Sequence, residues 1–340
     1  MSLHKEISFE NEICAHLAAN GWLYADGDAV AYDRALALFP ADVLAWVQQT
    51  QPKAWELLLK NHGSNAAETF FARLRDQLNQ RGTLDVLRHG LELLGLKVPL
   101  KLAEFKPALA LNTDILARYA ANRLRVVRQL RYSLACENSI DLVLFLNGLP
   151  VATAELKTDF TQNINDAIEQ YRFDRLPQTK GQTAEPLLAF PGGALVHFAV
   201  SNSEVAMATQ LAGQSTQFLP FNIGDQGAAG NPIGSTGSAG GHRTAYLWQQ
   251  VWQRDSWLEV LGRYLMAQRN AKKQLERIIF PRYHQLDVTR KLQAAVLKDG
   301  PGSKYLIQHS AGSGKTNSIA WTAHFLAELH DTQHKKVFDT

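Results

Sequence analysis

Apolar residues recur at Phe9, Ile13 and Leu17, the spacing of one helix face, and the pattern stops at Asn20-Gly21, so the chain is predicted to open with a helix. The same period returns between Asp33 and Lys101 in stretches such as ALALFPADVLAWVQQ and AWELLLKNH, punctuated by Pro40, Pro52 and Gly63. This predicts a helical insert over about residues 33–101. The period then changes to two. Ile140–Leu146 and Leu149–Lys157 flank Asn147-Gly148, a strong hairpin signal. A helix is expected next, capped by Thr161, with Ile164, Ala167, Ile168 and Tyr171 facing inward, and Ala194–Val200 reads as a further strand.

Seven of the eighteen residues from Gly224 to Gly241 are glycine, a composition that predicts a linker. Beyond it, YLWQQVWQRDSWLEVLGRYLMA is helical by its pattern, Lys304–Gln308 reads as a short strand, and a glycine-rich turn leads into a helix over Asn317–Leu329. KKVFDT looks like the beginning of another strand. The region from about 271 to 340 has too few elements to close a core of ordinary size and is expected to be the incomplete start of a domain.

Composition narrows the field by exclusion. With 46% hydrophobic and 20% charged residues and a formal net charge of +3, the chain is neither disordered nor a polycationic coat protein. Cys14 and Cys136 lie far apart with no metal-binding spacing, and the N-terminal region lacks the apolar core of a signal peptide. A cytoplasmic protein with no membrane partner is expected.

Two constellations carry candidate chemistry. Glu155 and Lys157 of Ala-Glu-Leu-Lys share a strand face, and Asp141 joins them only if the hairpin register allows. A plain two-residue turn would pair Asp141 with Ala154 and put Glu155 on the opposite face. A three-residue loop, Leu146-Asn147-Gly148, or another bulge of equal effect, would restore the shared face, and it is the expectation. Two carboxylates ~5 Å apart at an effective dielectric of ~20 repel by roughly 3 kcal/mol, a cost that a divalent cation removes. Mg²⁺ held by Asp141, Glu155 and the Leu156 carbonyl, with Lys157 orienting the attacking water, would equip a phosphodiester hydrolase. Glu10 is a candidate third acid. Arg118, Arg123, Arg125, Arg128 and Arg131 occur with no acidic residue between Asp114 and Glu137, a stretch suited to phosphates.

The second constellation is HSAGSGKT at 309–316, in a strand, glycine-rich turn and helix context. Gly312, Ser313 and Gly314 would bring backbone N–H groups to a nucleotide phosphate, with Lys315 reaching the terminal phosphates and Thr316 ligating Mg²⁺. His309 stands where the literal GxxxxGK[ST] pattern has glycine. Gln285 in FPRYHQ is placed to read adenine. No acidic strand follows to polarise water, so ATP hydrolysis by this chain alone is not expected.

The segments FENEICAHLAANGWLY, YAANRLRVVRQLRYS, SIDLVLFLNGLPVATAELKTDF, FPRYHQLDVTRKL and HSAGSGKT, in this order, resemble the N-terminal part of the restriction (R) subunit of type I restriction-modification enzymes over nearly the whole chain. The resemblance implies an α/β fold: a PD-(D/E)xK nuclease-like mixed sheet flanked by helices, followed by the incomplete beginning of a RecA-like P-loop domain. It divides the chain into an endonuclease domain at 1–223, a linker and connecting helix at 224–270, and the start of a superfamily 2 translocase domain from 271. Asp141, Glu155 and Lys157 match the nuclease signature, Glu10 the acid of its first helix, and Lys315 and Thr316 the first motor motif. Cleavage of double-stranded DNA is implied, coupled in the full-length subunit to ATP-driven translocation with methyltransferase (M) and specificity (S) subunits. Relatives often carry Gln and Tyr four apart after the ExK; here Gln170 and Tyr171 are adjacent candidates for DNA contact. Two other readings stay open: a nuclease-helicase of another defence or repair system, and a non-catalytic fragment docking on DNA or on the methyltransferase core.

Overall fold

The computed structural model describes residues 2–159, 162–232 and 241–338. Helix α1 (Ser2–Ala19) buries Phe9, Ile13, Cys14 and Leu17, and Gly21 (φ 88°) turns the chain after it, in the left-handed conformation that glycine adopts freely. Four helices form the insert: α2 (Pro40–Thr50), α3 (Pro52–His62), α4 (Ala66–Arg81) and α5 (Thr83–His89). Pro40 and Pro52 each occupy the first helical turn, where a missing N–H costs nothing. Helix α6 (Thr113–Ala120) is capped by Asn112, whose side chain accepts from the N–H groups of Asp114 and Ile115.

The sheet begins with β1 (Leu124–Arg131), β2 (Ser139–Leu146) and β3 (Leu149–Leu156). Helix α7 (Ile164–Glu169) then runs into a π-helical turn, Gln170–Asp174, before β4 (Val196–Val200), β5 (Val205–Ala208) and the short β6 (Leu219–Pro220). Strands lie in the order β1 to β6, all antiparallel except β3 and β4, which are parallel and joined by the α7 crossover. The fold is therefore mixed α/β. Thr161, the expected cap of α7, lies outside the described residues; the cap is Asn163, reciprocated by Asp166 in a capping box.

The hairpin meets the register expectation by its second route, a bulge of equal effect. Asn147 (φ 49°) and Gly148 (φ 81°) form a two-residue turn between Leu146 and Leu149, not a three-residue loop. The extra residue sits inside β3, at Val151, where pairing shifts from Phe145↔Pro150 to Leu144↔Ala152. The turn is buried beneath the insert, so it tolerates no widening: Asn147 donates to the carbonyl of Leu102 (2.8 Å), and a Cβ on Gly148 would lie 2.5 Å from the carbonyl oxygen of Phe39. Gly148→Ala is expected to destabilise the fold by ~2–3 kcal/mol, from left-handed strain plus a backbone clash, readable as a lower denaturation midpoint. An unchanged midpoint would mean that α2 does not pin the turn.

The segment expected to connect two domains is instead part of the core. Tyr246, Leu247, Trp248, Val251, Trp252, Trp257, Leu261 and Tyr264 are all buried in the same apolar cluster as α1, the insert and one face of the sheet. Its helical pattern is broken into π-helical turns (Leu247–Val251 and Val260–Tyr264) around α8 (Arg254–Glu259). The glycine-rich stretch begins with order too: Asn231 is buried and donates to Ser203 and Asn222. Residues 233–240 lie outside the described ones.

A two-stranded ribbon, β7 (Met266–Arg269) and β8 (Leu275–Ile279), precedes α9 (Tyr283–Asp299) and α10 (Lys315–Ala327). Residues 304–308 are not a strand: no neighbour among the described residues pairs with them, and Leu306 is 94% exposed. The helix after the glycine-rich turn starts two residues earlier than expected, at Lys315, because Gly314 in the left-handed conformation is its cap. Of KKVFDT, Lys336 makes an isolated bridge to His330, and no strand forms among the described residues. No helix among the described residues is long and apolar enough to cross a membrane.

Candidate active site

The bulge at Val151 determines what the sheet presents. With Leu142 opposite Ala154, Asp141 falls directly across from Glu155, on one face. Pairing ends there, and Asp141 Oδ2 accepts the N–H of Leu156 (2.8 Å). A residue's N–H and C=O leave a strand on the same edge, so the Leu156 carbonyl also lies on the Asp141 side.

Glu155 is fully buried. One of its oxygens accepts from Arg175 Nε at 2.6 Å, and the other, Oε2, has no N–H or hydroxyl donor among the described residues, its polar neighbour being the Asp141 carboxyl. Burial, and then the neighbouring Asp141 carboxyl, hold Glu155 well above the usual carboxylate range, with Arg175 opposing. From α1, Glu10 joins through Gln129, whose amide donates to Glu10 Oε1 (2.8 Å) and to Asp141 Oδ1 (3.0 Å). Gln129 does this from a left-handed backbone (φ 49°) in the middle of β1, a conformation that costs about 1–3 kcal/mol and is found where the surrounding structure imposes it.

Burial pushes Glu10 up to about 7, with Asp141 and Glu6 adding to the rise and Gln129 and Arg128 opposing it. A carboxyl at about 7 in the fold and 4.5 in the open chain contributes stability at acid pH that is lost as pH rises through 7. At ~1.4 kcal/mol per decade the full loss is about 3 kcal/mol. Glu10→Gln is therefore expected to match wild type in thermal stability at pH 5 and to exceed it at pH 8. Equal melting temperatures at pH 8 would contradict the buried-acid assignment.

Lys157 follows on the same face, and its side chain makes no hydrogen bond or ion pair among the described residues, although its charge is felt by Glu6. Glu6 stands one turn before Glu10 on α1, so the helix turns two acids toward the cleft. Lys157 lines a cavity of about 420 Å³ with Gln162, Asp166, Gln170, Phe173 and Asp174. Gln170 thus shares a cavity with Lys157, its Oε1 buried without a donor among the described residues. Tyr171, expected beside it as a DNA contact, does not: it is completely buried, its hydroxyl 2.8 Å from Thr153 Oγ1, which is also 2.8 Å from His197 Nδ1. Adjacent residues of a helical turn point in different directions, and this turn directs Tyr171 into the core.

The basic stretch is corrected as well. Arg123 and Arg125 pair with Asp42, and Arg125 also with Asp28. Arg118 pairs with Glu104, Arg128 with Glu10 and Arg131 with Glu137. The stretch lacks acids in sequence but not in space: Glu10 of α1, Asp28, Asp42 of the insert, Glu104 and Glu137 supply them. Arg123 and Arg125 are structural cations, and Arg128 faces the acidic cleft.

At the second constellation the loop folds on itself. Lys315 Nζ donates to the carbonyls of His309 (3.2 Å) and Ser310 (2.9 Å), while Gly312 (φ 74°) and Gly314 (φ 79°) make the turn. Ser313 is buried and Thr316 exposed. Gln285, expected to read adenine, is buried; its amide donates to the carbonyls of Ser313 and Gly314 and its oxygen accepts the N–H of Arg282. It braces the loop.

No group of three or more His, Cys, Asp or Glu side chains that could hold a metal ion occurs among the described residues. The hairpin site asks less of side chains. Asp141, the orphaned Glu155 Oε2 and the Leu156 carbonyl are hard oxygen donors, the kind that suits Mg²⁺, and a buried carboxylate oxygen without a donor is what a cation would satisfy. Arg175, Gln129 and Glu6 escaped the sequence reading. Only Glu6 left a signal there, its four-residue spacing from Glu10.

A mixed sheet whose central hairpin presents paired acids and a lysine, with a helix laid across them, defines an α/β protein compatible with a nuclease-like fold. Residues 8–216, from α1 to the approach of β6, match the family described as the type I restriction enzyme R protein N terminus. The chain belongs to that family. No curated protein matches it.

Proposed function

We propose that the chain is the Mg²⁺-dependent DNA endonuclease module of a type I restriction enzyme R subunit, hydrolysing phosphodiester bonds at the Asp141–Glu155–Lys157 cleft. The observation that carries this reading is the juxtaposition of Asp141 with a fully buried Glu155, one of whose oxygens has no N–H or hydroxyl donor among the described residues, beside a lysine whose ammonium makes no hydrogen bond or ion pair among them. When bound, Mg²⁺ supplies neutralisation of the phosphate and a lowered pKa for attacking water. Asp141 and Glu155 would hold it together with the Leu156 carbonyl. Lys157 orients the water and stabilises charge that develops on the phosphoryl oxygens, and Arg175 fixes the rotamer of Glu155. Gln170 and Phe173 on the cleft wall meet the DNA. Their position, and the pairing of the β1 arginines, move the expected DNA contacts from the basic stretch to the α7 side.

The glycine-rich loop at 309–316 completes the reading: its N–H groups and Lys315, turned from its own carbonyls, bind the phosphates of ATP, and nucleotide-driven translocation and assembly with M and S subunits belong to the full-length subunit. The test is nicking of supercoiled plasmid with Mg²⁺. Nicking that disappears with a chelator and in Glu155→Ala supports the reading. DNA binding without any cleavage by the wild-type chain would count for a non-catalytic docking role.

A further inference from the structure

We propose that Arg175 is a built-in second cation of the cleft: it holds Oε1 of Glu155 permanently, so the site takes one divalent ion, not two. The inference rests on the reading of the cleft as a metal site.

Three observations converge on it. The guanidinium Nε lies 2.6 Å from Glu155 Oε1, and the arginine side chain is only 11% exposed, so it is part of the interior and not a surface ion pair that water readily opens. It is delivered there by the π-helical turn, which closes with the Arg175 N–H on the Gln170 carbonyl (3.0 Å). Such turns recur at functional sites, and here the turn ends the helix with Arg175 as its cap.

The remaining oxygens are then few. Asp141 Oδ1 and Oδ2 accept from Gln129 and Leu156, and Glu10 Oε1 accepts from Gln129. Glu155 Oε2 and Glu10 Oε2 have no N–H or hydroxyl donor in hydrogen-bond geometry among the described residues; the former neighbours the Asp141 carboxyl and the latter faces Arg128 Nε at 3.3 Å. A two-ion site needs carboxylates bridging cations about 3.5–4 Å apart, and Glu155 can bridge only by releasing Arg175.

Arg175 acts through Glu155 and is a positioning residue, so the readout is metal uptake and not activity. Mn²⁺ is titrated into the full chain by calorimetry, and the bound ion is examined by electron paramagnetic resonance. The wild type is expected to take one magnetically isolated Mn²⁺. Arg175→Gln, which removes the charge while keeping an amide donor, is expected to take two, spin-coupled, and Arg175→Lys to stay at one. Two coupled ions in the wild type, or a single ion in a folded Arg175→Gln, would overturn the proposal and leave the metal site standing. No Mn²⁺ bound by the wild type would overturn the underlying reading of the cleft too. If circular dichroism shows Arg175→Gln unfolded, the wild-type spectrum decides by itself.

Discussion

Lys157→Ala is expected to lower Mg²⁺-dependent nicking by about 10²-fold or more while leaving divalent-ion binding within a few-fold of wild type. The split follows from the geometry. Asp141, Glu155 and the Leu156 backbone are the candidate ligands, whereas the Lys157 side chain makes no hydrogen bond or ion pair among the described residues, so its removal takes nothing from the ligand set. Lys157→Arg keeps the charge but replaces a compact ammonium with a planar fork, and should recover only part of the rate. Nicking rates for the three proteins at saturating Mg²⁺, beside calorimetric Mn²⁺ affinities, test the assignment. A full wild-type rate in the alanine variant would remove Lys157 from the chemistry.

Trp252→Ala is expected to cost about 3–5 kcal/mol in unfolding free energy, the range for loss of a large buried aromatic. Trp252 is fully buried, its ring 5.6 Å from that of Phe198 in β4, and its carbonyl accepts the indole N–H of Trp22 at 3.0 Å. It therefore couples the segment after the glycine-rich stretch to the sheet and to the turn after α1. The consequence extends beyond one residue: the helical segment around 247–264 is a wall of the sheet core, and changes there should unfold the cleft along with it. Chemical denaturation followed by tryptophan fluorescence and by circular dichroism measures this. Coincident transitions shifted to lower denaturant are expected, and an unshifted transition would restore the reading of a tether.

Legibility divides along physical lines. Local periodicity was enough for α1, the insert helices and the two strands of the hairpin, since each buries one stripe or face and the spacing of apolar residues records it. The shared face of Asp141 and Glu155 was readable only as a condition on register. The chain met that condition with a bulge at Val151, which leaves no mark in a run of apolar residues. Charge was misread for a related reason. Arg123 and Arg125 look unopposed along the chain, but Asp42 arrives from 81 and 83 residues away, and no window of sequence contains that pair. The same holds for Arg175 and Glu155, 20 residues apart and joined through the π-helical turn. Tyr171 shows the opposite error: the family resemblance offered it with Gln170 for DNA contact, yet the tyrosine serves a buried network with Thr153 and His197. The burial of the segment after the glycine-rich stretch was not legible from glycine content: its tryptophans needed a core to enter, and that core is built by distant elements.

The most direct test of the account is a crystal of the chain grown with a short DNA duplex and Mn²⁺, with anomalous diffraction recorded at the manganese edge. The account predicts a peak at the end of the hairpin, coordinated by Asp141 and by Oε2 of Glu155 at roughly 2.0–2.3 Å, with a DNA phosphate beside it and Lys157 within reach. A phosphate in the cleft with no anomalous peak there, or a peak bound only elsewhere, would contradict it.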